Sequence, residues 1–238
     1  MILLIIFISI YFISVLFLYF FMKKKYSKKH PWWIILIHAL TLTITLLLEN
    51  FFIILKRKKY SKKTPVILKK LSDLNIPFHI VFGTLLFSYR NNSFLDDDID
   101  IAVFRDEFNS NHKKEIEKMG FVLSEEWYLN DELCEQTYIN KTQKISMDIF
   151  HMSRDEEFAP TFDEKHNRYS RRKTSYKYQT KLIGVGGLEL LAPSNPEEYL
   201  KWNYGQWRKR DSNYHWFYGS SSNPPIIIDN ANIKYIKY

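Results

Sequence analysis

Apolar and polar positions follow one regime up to about residue 63 and another beyond it. Residues 1–22 hold no charged side chain and are long enough to cross the roughly 30 Å hydrocarbon core of a bilayer, which predicts a membrane helix. A cleaved signal peptide is the rival reading, but it calls for a basic start, a shorter apolar centre and a small-residue cleavage site, and this segment has none of them. A second apolar run, Trp32 to Leu55, is interrupted by His38, Glu49 and Asn50. Lysines crowd both its flanks, Lys23-Lys24-Lys25 with Lys28-Lys29 before it and Lys56-Arg57-Lys58-Lys59 after it. A crossing helix cannot put both flanks on the cytoplasmic side, so a span and a helix lying against the membrane both stay open.

From Thr64-Pro65 onward the pattern is that of an α/β domain. Pro65 suits the first turn of a helix running to about Leu74, and Ile76 to Phe82 reads as a buried strand. Gly83-Thr84 breaks that strand and starts a short helix through Arg90. A polar loop, Asn91-Asn92-Ser93, leads to Asp96-Asp97-Asp98-Ile99-Asp100 and a second strand ending near Phe104. Further along, Ile145 to His151 is a strand-like apolar run with Asp148 as its single charge. A last helix is expected after Ser194-Asn195-Pro196, with Trp207 beyond it as a packing residue.

Charge sharpens the division. Of 34 basic and 26 acidic residues, 11 basic ones and only Glu49 on the acidic side precede residue 64, leaving 23 basic against 25 acidic beyond it. The basic excess therefore lies beside the apolar segments, which argues against a nucleic-acid-binding core. The single cysteine, Cys134, excludes an internal disulfide framework and a cysteine-based zinc site. The domains expected are a membrane helix at 1–22, a basic linker at 23–63 enclosing the apolar segment 32–55, a catalytic domain at 64–225 and a tail at 226–238.

Candidate chemistry lies in the acidic strand entry. Alternate strand residues share a face, so Asp98 and Asp100 point together while Ile99 and Ile101 enter the core. Two such carboxylates repel unless a cation lies between them, and Mg²⁺, or Mn²⁺, takes oxygen ligands of this kind together with substrate phosphates. Asp148 is the third candidate, because a lone carboxylate in an apolar strand is costly without a cation or hydrogen-bond donors. The Gly83-Thr84 turn at a helix start suits a phosphate, and Arg90 suits either a phosphate or the surface end of a helix. His151 reads as structural.

Gly83-Thr84-Leu85-Leu86, Arg90, the Asp-Asp-Asp-Ile-Asp run at 96–100 and Met147-Asp148-Ile149-Phe150, in this order, resemble the LicD/fukutin family. Pro196-Glu197-Glu198-Tyr199-Leu200 with Tyr204-Gly205-Gln206-Trp207 is similar to that family's Tyr-Leu…Tyr-Gly…Trp segment, and Trp216 with Ser222-Asn223-Pro224-Pro225 to its fukutin branch. The resemblance covers roughly residues 65–225 and departs from the pattern at Phe87, where a glycine is expected, and in the loop before Asp96, which lacks Pro-Trp. It implies a nucleotidyltransferase-like mixed sheet flanked by helices. It also implies metal-dependent transfer of a phospho-substituent, such as phosphocholine or ribitol phosphate, from a CDP-linked donor to a glycan or glycoprotein. Asp98 and Asp100 then hold the metal, Asp148 is a further ligand or the general base, and Gly83, Thr84 and Arg90 meet the donor phosphate. The fukutin-like features imply a Golgi membrane, and a bacterial LicD-like enzyme a cytoplasmic membrane. A non-catalytic membrane partner of a glycosylation enzyme and a nucleotidyltransferase proper are the competing functions.

Overall fold

Period-two alternation builds the centre of the fold. In β5 (Ile145–Met152) Ile145, Met147 and Ile149 are buried on one face while Ser146, Asp148 and Phe150 are half-buried on the other. The parallel neighbour β2 (Asp98–Phe104) is buried at every position after Asp98. Around this pair the computed structural model arranges a six-stranded sheet in the order β1-β2-β5-β4-β3-β11. Here β1 is His79–Ile80, β3 Val122–Leu129, β4 Glu132–Asn140 and β11 Ile233–Lys237. Only β2 and β5 run parallel; the other four pairings are antiparallel, so the sheet is mixed. The structure describes residues 62–94, 98–154, 161–166, 168–171, 179–209, 214, 215, 217, 219, 224–229 and 231–238, with positions 16, 20, 41 and 43–45 before them.

Four helical stretches accompany the sheet: α1 over residues 62–73, α2 (Phe82–Asn91), α3 (Ser110–Lys118) and α4 (Pro196–Tyr204). Ile67, Leu68 and Leu71 of α1 are buried, and Asn75, at φ 53°, follows its end in the left-handed conformation that asparagine tolerates. Lys63 donates from its ammonium to the Gln143 carbonyl, so the domain takes in residues expected to be linker. As expected, α4 is capped by Asn195, whose side chain accepts from the Glu198 amide, and Trp207 beyond it is buried.

Two smaller sheets complete the domain: β6 (Thr161–Asp163), β7 (Arg168–Arg171) and β10 (Ile226–Asp229) form one, and the hairpin β8 (Thr180–Val185) and β9 (Leu188–Pro193) the other. That hairpin braces the loop that enters β2. Asn92 Oδ1 accepts from the Gly186 amide at 3.0 Å, and a Cβ on Gly186 would lie 2.6 Å from the Phe94 ring.

Two expectations change. The strand foreseen over 76–82 is confined to His79–Ile80, because Pro77 has no amide to donate and Phe82 already opens α2 at φ 40°. Residues 226–238 are not a tail: they supply β10 and β11, and β11 extends the main sheet along β3. Among the described residues no helix is long and apolar enough to cross a membrane. The expected membrane segments, 1–22 and 32–55, lie almost wholly outside the described residues.

The sheet face opposite Asp148 carries a buried polar chain. His151 Nε2 pairs with Gln136 Oε1 at 2.9 Å, and Gln136 donates its Nε2–H to Glu126 Oε1 at 2.6 Å. Glu126 Oε2 accepts from the hydroxyls of Tyr128 and Tyr238, at 3.0 and 2.5 Å. Burial alone would raise this carboxyl, and the three hydrogen bonds outweigh it and bring the pKa below the ordinary value. His151 is structural, as its sequence context implies.

Candidate active site

Register brings the three expected carboxylates together. In the parallel β2–β5 pair Asp100 stands opposite Asp148, with Asp98 two residues earlier on the same face of β2. One oxygen from each of Asp98, Asp100 and Asp148 lies within 4.8 Å of the other two. Three hard oxygen donors converging in this way fit a divalent cation of the Mg²⁺ or Mn²⁺ kind, and the triad is a candidate metal centre.

Asp100 and Asp148 are each oriented by a neighbour. Asp100 is buried, and its Oδ2 accepts from the Gly83 amide at 2.7 Å, while its own amide donates to Thr84 Oγ1 at 2.8 Å. The start of α2 thus grips β2 through both main chain and side chain of Asp100, and the Gly83 amide expected to meet phosphate is used on a carboxylate. Negative charge at a helix N-terminus is favoured by the orphan amides there. The turn into α2 runs through Phe82 at φ 40°, a strained conformation for an aromatic residue, held by edge-on packing of its ring 4.7 Å from that of Phe150.

Asp148 Oδ1 accepts from the Thr137 hydroxyl at 2.7 Å. Burial first, and then the Asp98 carboxylate, push Asp148 up to about 7 against the pull of Thr137, with Glu125 adding to the rise. Glu135, on β4, stands well above the usual carboxylate range as well, through burial and then the charges of Asp148, Glu125 and Asp98.

The triad opens into a cavity of about 630 Å³. Its walls include Gly83, Leu86, Phe87 and Arg90 from α2, Glu135 from β4, Trp127 from β3, and Tyr204, Lys209 and Tyr214 from the C-terminal part. Arg90 lines it but points its guanidinium at main chain: Nε donates to the Trp207 carbonyl at 2.8 Å, Nη2 donates to the same oxygen and reaches the Lys209 carbonyl at 3.3 Å. Arg90 therefore fixes the turn that carries Lys209 to the cavity rim. Trp127 stacks on Phe162 with ring centres 5.2 Å apart and planes inclined by 4°.

Thr137, Glu135 and Lys209 are the residues that sequence reasoning missed. The signal for Thr137 was weak: it is a hydroxyl at the position opposite Asp148, visible only once the β4–β5 register is known.

The mixed sheet carries a carboxylate triad that could hold a metal ion on its two parallel strands, beside a helix N-terminus and a cavity with both cationic and acidic groups. Residues 75–195 match the family described as LicD/FKTN/FKRP, nucleotidyltransferase domain. The chain belongs to that family, whose members are of the phosphotransferase type. No curated protein matches it.

Proposed function

We propose that this protein transfers a phospho-substituent, of the phosphocholine or ribitol phosphate kind, from a CDP-linked donor to a hydroxyl of a glycan, with Mg²⁺ as its metal. The observation that carries the reading is the convergence of Asp98, Asp100 and Asp148 to within 4.8 Å at the wall of a cavity that also holds Arg90 and Lys209. A bound divalent cation supplies neutralisation of the donor's diphosphate. Asp98, Asp100 and Asp148 are the residues that would hold it; Gly83 and Thr137 keep the carboxylates of Asp100 and Asp148 in place at 2.7 Å, and Thr84 fixes the Asp100 main chain at 2.8 Å. The Lys209 ammonium, carried to the rim by the turn that Arg90 binds, contributes positive charge where a diphosphate would lie. Apolar side chains of Leu86, Phe87 and Phe150 limit water in the same space.

Anchoring by the N-terminal apolar segments belongs to the same proposal, supported by residues 1–22 without a charge and by the basic flanks around 32–55. A chain beginning at Arg57, where the second compact unit starts, is expected in the soluble fraction and the full chain with the membranes. The activity is tested by incubating the full chain with CDP-ribitol and with CDP-choline in Mg²⁺, with glycerol as the acceptor hydroxyl, and identifying the products. CMP release supports phospho-substituent transfer, release of ribitol phosphate or phosphocholine in place of CMP would mark a nucleotidyltransferase, and neither product from either donor would favour a non-catalytic partner.

A further inference from the structure

We propose that Glu135 is the residue that receives the acceptor hydroxyl, taking its proton as that oxygen attacks the donor phosphorus. The role rests on the transferase reading given above and deepens it: it puts the acceptor on the β4 side of the cavity.

The order of elements across the sheet carries the inference. Beginning at α2, Gly83 grips Asp100 on β2, Asp148 follows on β5, then Glu135 on β4 and Trp127 on β3. The cationic groups of the cavity stand on the α2 side: Arg90 is part of that helix, and Lys209 is tied to it through its carbonyl. Glu135 stands beyond the triad in the other direction. Thr137 is paired with Asp148 and Glu135 with Phe150, which makes Glu135 the diagonal neighbour of Asp148 across β4–β5. Such neighbours lie about 7–8 Å apart in Cα and remain within reach of long side chains. Glu135 is outside the set of converging ligand oxygens, so it adjoins the metal centre without belonging to it.

Its carboxyl also lacks a partner. Among the described residues it makes no hydrogen bond or ion pair, and the groups that face it are the carboxyls of Asp148, Glu125 and Asp98. Asp100 and Asp148, by contrast, each accept from a fixed donor at 2.7 Å. A carboxyl at a cavity wall, with like charges around it and nothing donating to it, is satisfied by a hydroxyl arriving with a ligand. Displacement at phosphorus proceeds with the attacking and departing oxygens roughly in line. A diphosphate on the cationic α2 side therefore leaves the β4 side for the nucleophile, where Glu135 stands.

The acceptor's O–H bond breaks and its proton passes to a Glu135 carboxylate oxygen. The acceptor oxygen forms a new O–P bond to the phosphorus that carries the substituent. The bond from that phosphorus to the bridging oxygen breaks, and CMP departs with the electron pair.

The test uses the full chain in detergent, with Glu135→Gln, Glu135→Asp and Asp100→Asn beside the wild type. Binding of Mg²⁺ and of CDP is read by calorimetry, and CMP release is read from CDP-ribitol and CDP-choline with glycerol as the hydroxyl probe. Glu135→Gln is expected to bind Mg²⁺ and CDP within about threefold of wild type and to lose ~10² to 10⁴-fold in CMP release, the range for a positioned acid or base. Glu135→Asp keeps a carboxyl but withdraws it by one methylene. It is expected to retain both binding events and lose at least about tenfold in turnover, since small misplacements of a reacting group are costly. Full turnover in Glu135→Gln would overturn the assignment, and so would loss of Mg²⁺ binding as severe as in Asp100→Asn, which would make Glu135 a metal ligand. A wild type that releases no CMP from either donor fails the transferase reading itself, a result distinct from both.

Discussion

The amide of Gly83 and the carboxylate of Asp100 meet at 2.7 Å, so the first turn of α2 is spent on holding a candidate metal ligand in place. The Asp100 amide returns the contact through Thr84 Oγ1 at 2.8 Å. Thr84 is buried, and Thr84→Val would leave the Asp100 N–H without its acceptor. We expect a stability loss of about 1–3 kcal/mol, the usual cost of a buried unsatisfied donor, together with weaker metal binding. Thr84→Ser should restore most of both. Thermal unfolding and metal titration of the two variants check this, and equal behaviour of Val and Ser would show the hydroxyl to be idle.

Asp148 makes metal binding depend on pH. Its pKa, pushed up to about 7, means that a cation must displace a proton below that pH, so affinity rises as pH increases toward and past 7. One proton per ion should be released at pH 6, measurable by calorimetry in two buffers of different ionisation enthalpy. Thr137→Val removes the hydroxyl at 2.7 Å that favours the charged form, and should weaken the metal by about tenfold near neutral pH, on the scale of a hydrogen bond to a charged group. A metal affinity flat from pH 5.5 to 8 would contradict the raised Asp148.

Two buried histidines make the fold sensitive to acid. Burial lowers His79 to about 3, and burial with Lys113 and Arg105 lowers His151 to about 3 against the pull of Glu126. Both are neutral in the folded protein and take up protons only when it unfolds, so their stabilising effect is complete above the unfolded pKa near 6.5. It is lost progressively as pH falls toward 3, by about 1.4 kcal/mol per histidine for each pH unit. Urea midpoints should drop between pH 7 and 5, and His151→Gln should flatten that drop. An unchanged slope in the variant would remove His151 from the account.

Arg90 supports the cavity through main chain. Its hydrogen bonds to the carbonyls of Trp207 and Lys209 predict that Arg90→Ala loosens the turn, lowers the melting temperature and weakens CDP binding together. Lys209→Ala should weaken CDP binding and leave the melting temperature in place, because the Lys209 side chain is exposed. Comparable melting of wild type and Arg90→Ala would separate Arg90 from the turn.

The triad was legible because each of its members breaks an apolar alternation. Asp98 and Asp100 flank Ile99, and Asp148 sits between Met147 and Ile149, so the expected face and strand were both right. Thr137 and Glu135 were not legible, because β4 is polar on both faces: Glu135 and Thr137 look toward the triad while Gln136 and Asn140 are buried behind. With no alternation there is no signal of which face matters. The reading of residues 226–238 as a tail failed because β11 gains its stability from pairing with β3, about a hundred residues away in sequence, through Tyr235 opposite Trp127 and Lys237 opposite Glu125. The family resemblance supplied the order of motifs, and only the register between β2 and β5 joined them.

The most direct measurement is calorimetric titration of the full chain with Mn²⁺, for wild type, Asp98→Asn and Asp100→Asn. The expected result is one ion bound by the wild type and a loss of about 100-fold or more in each variant, beyond the 10–100-fold usual for residues that only orient a ligand. Wild-type affinity retained in both variants would contradict the metal centre formed by Asp98, Asp100 and Asp148.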